Sequence, residues 1–246
     1  MPTTSLPPDC VNSLGQPIGF PLPGWRPPPF PSLTRYHGRF CIIEAFDPER
    51  HGEKLYEALA VGASDALWTY LPYGPFVDVS DYMTWLRKNA TGKDPLFCAI
   101  LDARTQQPIG LQGYLRIAPE VGSIEVGHLQ FSPQLQRTAT ATEALWFLLR
   151  ECFALGYRRC EWKCDALHVK SRAAAERLGF SFEGIFRQAI VYKNRNRDTA
   201  WYSILDREWP SLDRAMRGWL SEDNFDAAGK QKRRLSEFIS ESRDGG

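Results

Sequence analysis

The chain has 246 residues, 43% of them hydrophobic and 24% charged, with a formal net charge of +1. That apolar share can bury a core without disulfide or metal staples. The near-neutral charge gives no global reason to expect nucleic acid, a membrane surface or acidic partners. The longest apolar runs, 96–101 and 144–149, have six residues each and are too short to span a bilayer. The N-terminus shows neither a basic n-region nor an apolar h-region. Without such a leader, six cysteines point to reduced thiols and a cytoplasmic setting.

Residues 1–35 are crowded with proline, which excludes helix and central strand. Phe20, Trp25 and Phe30 predict a strap lying on the domain that follows, 36–220. Residues 38–46 read as the first strand. Asp47 is a helix N-cap and Pro48 the first helical position, and the helix runs over 49–61 with Leu55, Ala58 and Leu59 inward. The Pro/Gly loop 68–76 carries an aromatic cluster in which Trp68 and Tyr70 are candidates for substrate contact or for packing. A short helix follows over 80–88. The apolar run 96–101 predicts a central strand, and 108–117, with Tyr114, another.

The stretch 123–145 organises the chain. Residues 123–131 predict a strand ending at Ser132-Pro133, a turn signal. From Ala141 the pattern is helical, with Leu145, Leu148, Leu149, Cys152 and Phe153 on one face and Gly156 as the stop. Between them lie only small or polar residues, Gln136–Ala141. Free backbone N–H groups there suit a phosphate, or serve only as a helix start. Residues 157–164 predict the fifth strand. Cys160 and Cys164 do not match zinc spacing and share a strand face, so they read as buried thiols, and no metal site is expected. A short helix over 171–179, strands over 180–190 and 199–205 joined by a turn at 193–198, and a helix over 211–220 capped by Ser211 complete the domain. Residues 221–246 are a charged tail. Its basic run, 230–234, precedes a helical stripe of Leu235, Phe238 and Ile239.

Two segments carry a resemblance. The loop Gln136-Arg137-Thr138-Ala139-Thr140-Ala141-Thr142-Glu143-Ala144 and the segment Ser171-Arg172-Ala173-Ala174-Ala175-Glu176-Arg177-Leu178-Gly179-Phe180, continued by Glu183-Gly184, resemble the GNAT N-acetyltransferases, closest to their RimJ/RimL-like branch. The resemblance implies an α/β (α+β) fold: a mixed, mostly antiparallel twisted sheet of about seven strands, with helices on both faces, splayed between strands four and five. It implies acetyl-CoA as cofactor and a primary amine as acceptor, on a small molecule, an amino-acid derivative or a protein N-terminus. It also implies a monomer or homodimer.

By position in that resemblance, Gln136, Arg137, Thr138, Ala139, Thr140, Ala141 and Thr142 bind the pyrophosphate. Leu129 and Phe131 line the pantetheine arm through backbone atoms, in the manner of an added strand. Arg137 and Ala139 stand where the family has glycines, and His168 where relatives carry an asparagine that contacts the cofactor. Glu125 is the first candidate base, the alternative being an exposed strand glutamate, and His128 is the second. Ser171 matches the family serine and could hydrogen-bond the leaving thiolate or simply cap a helix. Tyr114, Tyr192 and Trp201 join Trp68, Tyr70 and His128 as candidate acceptor contacts. The loop substitutions also motivate a second reading, a non-catalytic acyl-CoA-binding or regulatory module.

Overall fold

The computed structural model describes residues 10–60 and 65–244. Val61, the expected last residue of the first helix, and Pro2, Pro7 and Pro8 of the strap lie outside the described residues. Among the described residues eight strands form one sheet: β1 (Tyr36–His37), β2 (Cys41–Ala45), β3 (Leu96–Asp102), β4 (Pro108–Ala118), β5 (Ser123–Phe131), β6 (Arg159–Asp165), β7 (Ser181–Tyr192) and β8 (Arg195–Leu205). Their order is β1-β2-β3-β4-β5-β6-β8-β7. Every neighbouring pair is antiparallel except β5 with β6. The expected α/β sheet is therefore present, and the strand beyond the expected set is the two-residue β1.

Six α-helices flank it: α1 (Pro48–Ala60), α2 (Val79–Asn89), α3 (Ala139–Ala154), α4 (Val169–Arg177), α5 (Trp209–Leu220) and α6 (Leu235–Asp244). One face of the sheet lies under α3 and α5, where Ile43, Ile100, Ile124, Cys160, Tyr202 and Leu148 share a core. On the other face α1 and α2 pack Leu55, Leu59, Tyr82 and Leu86 against Phe97 of β3 and Leu111 of β4. Cys160 and Cys164 are both buried, as strand alternation requires. Among the described residues no helix is long and apolar enough to cross a membrane.

Three expected boundaries move. α3 begins at Ala139, because the Thr138 hydroxyl caps it by accepting from the Ala141 N–H at 3.2 Å. The last hairpin turns on Lys193 and Asn194 alone, with φ of 48° and 56°, the geometry of a tight type I′ turn. α5 starts at Trp209, so Pro210 sits in its first turn, where a missing N–H costs nothing, and Ser211 is inside the helix rather than its cap.

Of the residues expected to form the strap, those around 25–31 touch the domain, whereas Phe20 and Phe30, each 43% exposed, do not anchor it. Pro28 and Pro31 are buried, the Tyr157 hydroxyl donates to Pro29 O at 3.3 Å, and the Arg158 guanidinium lies 6.0 Å from the Trp25 ring centre. At the other end, Leu235 and Ile239 of α6 are buried, and Trp219 Nε1 donates to Gln231.

Candidate active site

The parallel pairing of β5 and β6 is short. It joins Ser123 to Arg159, Ile124 to Cys160 and Glu125 to Glu161, and then stops. Beyond those residues the two strands diverge into a fork. Opposite β4, β5 carries a bulge: Leu111 pairs with Gln130 and Gly113 with Gly127, so His128 and Leu129 face the single residue Gln112. His128 has φ of +52°, a conformation that costs a non-glycine residue energy and is stored at functional sites.

At the fork's mouth stands the start of α3. The N–H of Gln136 donates to Ser132 O at 3.0 Å, and its side-chain amide turns back to Phe131 O at 2.7 Å. The N–H groups of Ala141 and Thr142 are used by Thr138. The Thr142 hydroxyl is buried and accepts from Arg177 at 3.0 Å. The backbone N–H groups of Gln136, Ala141 and Thr142 are thus engaged within the protein. The N–H groups of Arg137, Thr138, Ala139 and Thr140 have no acceptor among the described residues. Arg137 has φ of +64°, so the arginine adopts the left-handed conformation that a glycine would take there. A left-handed residue ahead of a helix N-terminus turns successive N–H groups into a concave cradle for an anion.

Ser171 and His168 lie at the start of α4, on the β6 side. His168 is the helix N-cap residue without a side-chain cap bond, and Ser171 is inside the helix. The Ser171 hydroxyl accepts from Trp162 Nε1 at 3.0 Å. Burial lowers the affinity of His168 for a proton, and its ring stacks on Tyr70.

Glu125 sits at the last paired position before the fork and is 2% exposed. Arg116 grips both its oxygens, with contacts of 2.7 and 2.5 Å, and Lys163 lies 3.2 Å away. Lys163 also pairs with Glu161 at 2.6 Å, and Arg159 joins Glu161 at 2.7 Å to Glu183 at 2.5 Å. Burial pushes the Glu125 carboxyl above the usual carboxylate range, while Arg116 and Lys163 oppose that shift. Glu125 is thus not an exposed strand glutamate, and its carboxylate is held between two cations. It is the centre of a charge network that holds β4, β5 and β6 together.

His128 lies on the other side, in a cavity of about 330 Å³ whose walls include Tyr73, Trp85, Asn89, Pro95 and Phe97. Burial pushes its imidazole down to about 4, so the ring is neutral at neutral pH. The remaining candidates divide. Trp68 is buried and packs edge-on against Tyr73, Phe76 and Tyr82, so its ring serves the aromatic cluster rather than a ligand. Tyr114 is corrected outright: it is fully buried beneath α3 and donates to Leu148 O. Tyr70 reaches across to the α4 side, donating to Leu167 O at 3.4 Å. The Tyr192 hydroxyl donates to Asp165 at 2.9 Å. Trp201 lies under Lys163, which is 3.6 Å from its ring centre, and stacks on Phe186.

Sequence reasoning missed Arg116, Lys163, Tyr73 and Gln130. A signal existed for Lys163, because Arg159, Glu161 and Lys163 alternate on one strand face. Arg116 had none, because it is brought to Glu125 by a second bulge, between Leu115 and Ala118.

The model of the acetyltransferase (GNAT) domain matches residues 42–181. The chain is 42% identical to a GCN5-related N-acetyltransferase from Brucella melitensis, covering 89% of this chain and 100% of that one, with a TM-score of 0.87. It is also 42% identical to a GNAT-family acetyltransferase from Chromobacterium violaceum, covering 79% of this chain and 98% of that one, with a TM-score of 0.74. The microcin C7 self-immunity acetyltransferase MccE, solved with acetyl-CoA and AMP, shares the fold at 20% identity and a TM-score of 0.59, covering 68% and 93% of the two chains. No curated protein matches the chain. A sheet forked at one short parallel pair, a cradle of unpaired N–H groups at its mouth and these likenesses agree: the chain belongs to the GNAT acetyltransferase family and is an acyltransferase.

Proposed function

We propose that the protein transfers an acetyl group from acetyl-CoA to a primary amine by direct attack in a ternary complex. The observation that carries this reading is the fork, with the N–H cradle of Arg137–Thr140 at its mouth and the strained bulge at His128–Leu129 within it. The residues present fit the cofactor. Arg137 keeps the glycine-like backbone, its side chain is exposed, and Ala139 lies within helical backbone, where a methyl group is no obstacle. The inner backbone edge of Leu129–Phe131 suits an amide-bearing arm as an added strand would.

Bound acetyl-CoA supplies the thioester. A backbone N–H near Leu129–Phe131 polarises its carbonyl as charge develops there. A new C–N bond forms, the C–S bond breaks, the attacking nitrogen loses its second proton to solvent water, and the leaving thiolate, hydrogen-bonded by the Ser171 hydroxyl, takes a proton back from water. The aromatic cavity beside His128 takes the acceptor. Burial among its aromatic rings and prolines disfavours an ammonium ion, so the amine gives its first proton to solvent water before attack. Glu125 holds Arg116 and Lys163 in place throughout. We also assign the protein to the RimJ/RimL-like branch and to the cytoplasm; its six thiols are free.

Calorimetric titration with acetyl-CoA, followed by thiol release with a panel of amines, tests this reading. Micromolar binding and amine-dependent thiol release support it. Binding without turnover of any amine would favour the non-catalytic acyl-CoA-binding module, and no binding would remove both.

A further inference from the structure

The cavity beside the bulge contains one directional chain of hydrogen bonds. The Tyr82 hydroxyl donates to Gln130 Oε1 at 2.6 Å, with the amide oxygen turned toward Tyr82. Gln130 Nε2 therefore faces the Tyr73 hydroxyl, 3.3 Å away, and donates to it. With its oxygen used as an acceptor, Tyr73 has its own hydrogen left for His128 Nδ1, at 3.1 Å. Tyr82 and Gln130 are buried in the core between α2, β4 and β5, so the chain is anchored at its far end.

The direction of the chain decides the state of the imidazole. A nitrogen that accepts from Tyr73 carries no proton, so in the neutral ring the hydrogen is on Nε2. Nε2 has no partner among the described residues. His128 lines the cavity together with Tyr73, Trp85, Phe97 and Asn89. Two features favour the neutral ring. Burial and the Arg116 cation on β4 both oppose its protonation, Asp94 before β3 favours it, and the balance is a lowered proton affinity. The strained backbone at φ +52° keeps the ring in this position.

Extending the acetyl-transfer reading above, on which this rests, we propose that Tyr73 is a positioning residue that locks His128 as the Nε2–H tautomer. His128 is then a hydrogen-bond donor to an oxygen carried next to the amine of an aromatic or apolar acceptor. The cavity walls fit that class. Aromatic rings and prolines dominate them, and no carboxylate lines the space to pair with the extra charges of a polyamine. The volume of about 330 Å³ is at the small end of small-molecule sites.

Two measurements on the full chain test this. The first is side-chain ¹⁵N NMR of His128 in the wild type. The Nε2–H tautomer is expected, and the Nδ1–H tautomer or an imidazolium at neutral pH would overturn the proposal without any enzyme assay. The second is thiol release with acetyl-CoA and three amines: phenylalanine amide, phenethylamine and spermidine. With kcat/KM counted per neutral amine, phenylalanine amide should exceed phenethylamine, which lacks the oxygen, by about tenfold, with spermidine below both. Tyr73→Phe should bring the first ratio close to one and release a mixture of His128 tautomers. His128→Asn tolerates the left-handed backbone and retains a donor, so it should keep part of the preference even if Tyr73→Phe folds poorly. Equal use of the two aromatic amines by the wild type, or preference for spermidine, overturns the assignment of the acceptor. Failure of all three amines with acetyl-CoA bound would instead count against acetyl transfer, leaving the NMR result to decide the tautomer.

Discussion

The ring of Tyr70 lies on the imidazole of His168, with centroids 4.2 Å apart and planes inclined by 15°. Close by, Lys193 Nζ donates to Trp68 O at 2.7 Å. These contacts join the loop between α1 and α2 to the start of α4 and to the β7–β8 hairpin, across the open end of the fork. Such contacts contribute about 0.5–1.5 kcal/mol each. Tyr70→Ala should therefore leave the thermal midpoint within a few degrees while speeding amide exchange over 65–73. Exchange mass spectrometry checks the loop. Steady-state kinetics should show KM for the amine raised several-fold with kcat nearly constant.

The cradle at the start of α3 can be separated from its side chains. Arg137→Gly relieves a left-handed non-glycine residue and should stabilise the fold by up to about 1 kcal/mol. Acetyl-CoA affinity should stay within about threefold if the N–H groups carry the binding. Ala139→Asp has the opposite logic. An acid in the first turn suits the helix dipole, so folding is preserved, but the carboxylate repels a phosphate. Calorimetry should show affinity falling by at least about tenfold, or 1.4 kcal/mol. Unchanged affinity in Ala139→Asp would remove the cradle from the account.

Glu125→Gln removes the charge that joins Arg116 to Lys163. Arg116 is half exposed and is partly compensated by water, whereas Lys163 is buried and retains Glu161. The expected loss is about 2 kcal/mol, a fall of roughly 4–8 °C in the thermal midpoint. If solvent water takes the amine proton, as proposed, the pH–rate profile should keep its shape. Loss of the acid limb in this variant would restore Glu125 as the base.

Glu143 of α3 has a structural task that its place in the family-like loop does not announce. Its carboxylate accepts from the backbone N–H groups of Arg39, Phe40 and Cys41 at 2.9, 2.7 and 2.9 Å. Glu143→Ala would leave three donors without a partner and should cost on the order of 3 kcal/mol. Denaturant unfolding checks this, with Glu143→Gln expected to lose less.

His128 makes stability depend on pH. Its folded-state value is lowered from 6.5 to about 4, so its contribution is present above 6.5 and is lost as pH falls through about 4. The difference corresponds to roughly 3 kcal/mol. Urea unfolding between pH 7 and 4 should show stability falling, with a shallower fall in His128→Asn. Equal slopes would show that other groups dominate acid unfolding.

Much of this architecture was legible in the sequence because it depends on local rules. Asp47 and Pro48 open α1, Gly156 ends α3, and residues 123–131 form β5, as their length and the Ser132-Pro133 stop imply. The site was less legible because bulges place it. Period-two alternation assumes an unbroken ladder, but the extra residue at His128–Leu129 resets which side chains face the cavity. The second bulge turns Arg116 onto Glu125, and no spacing rule predicts that pair. Tyr114 lies on a strand whose sequence does not say which face a helix covers, and α3 covers its face.

The fork has a consequence for the safety of the sheet as well as for chemistry. Past Glu125 and Glu161, two strands in the middle of the molecule offer backbone groups that no neighbouring strand takes up. An unpaired edge is an invitation to stray chains, and proteins usually confine it to the rim, where charge or proline can guard it. Here the unguarded lengths are short, 126–131 on one arm and 162–165 on the other, and the outer side of each arm is already paired with β4 or β8. The gap is a docking slot that admits a slender chain and offers too little length to template aggregation.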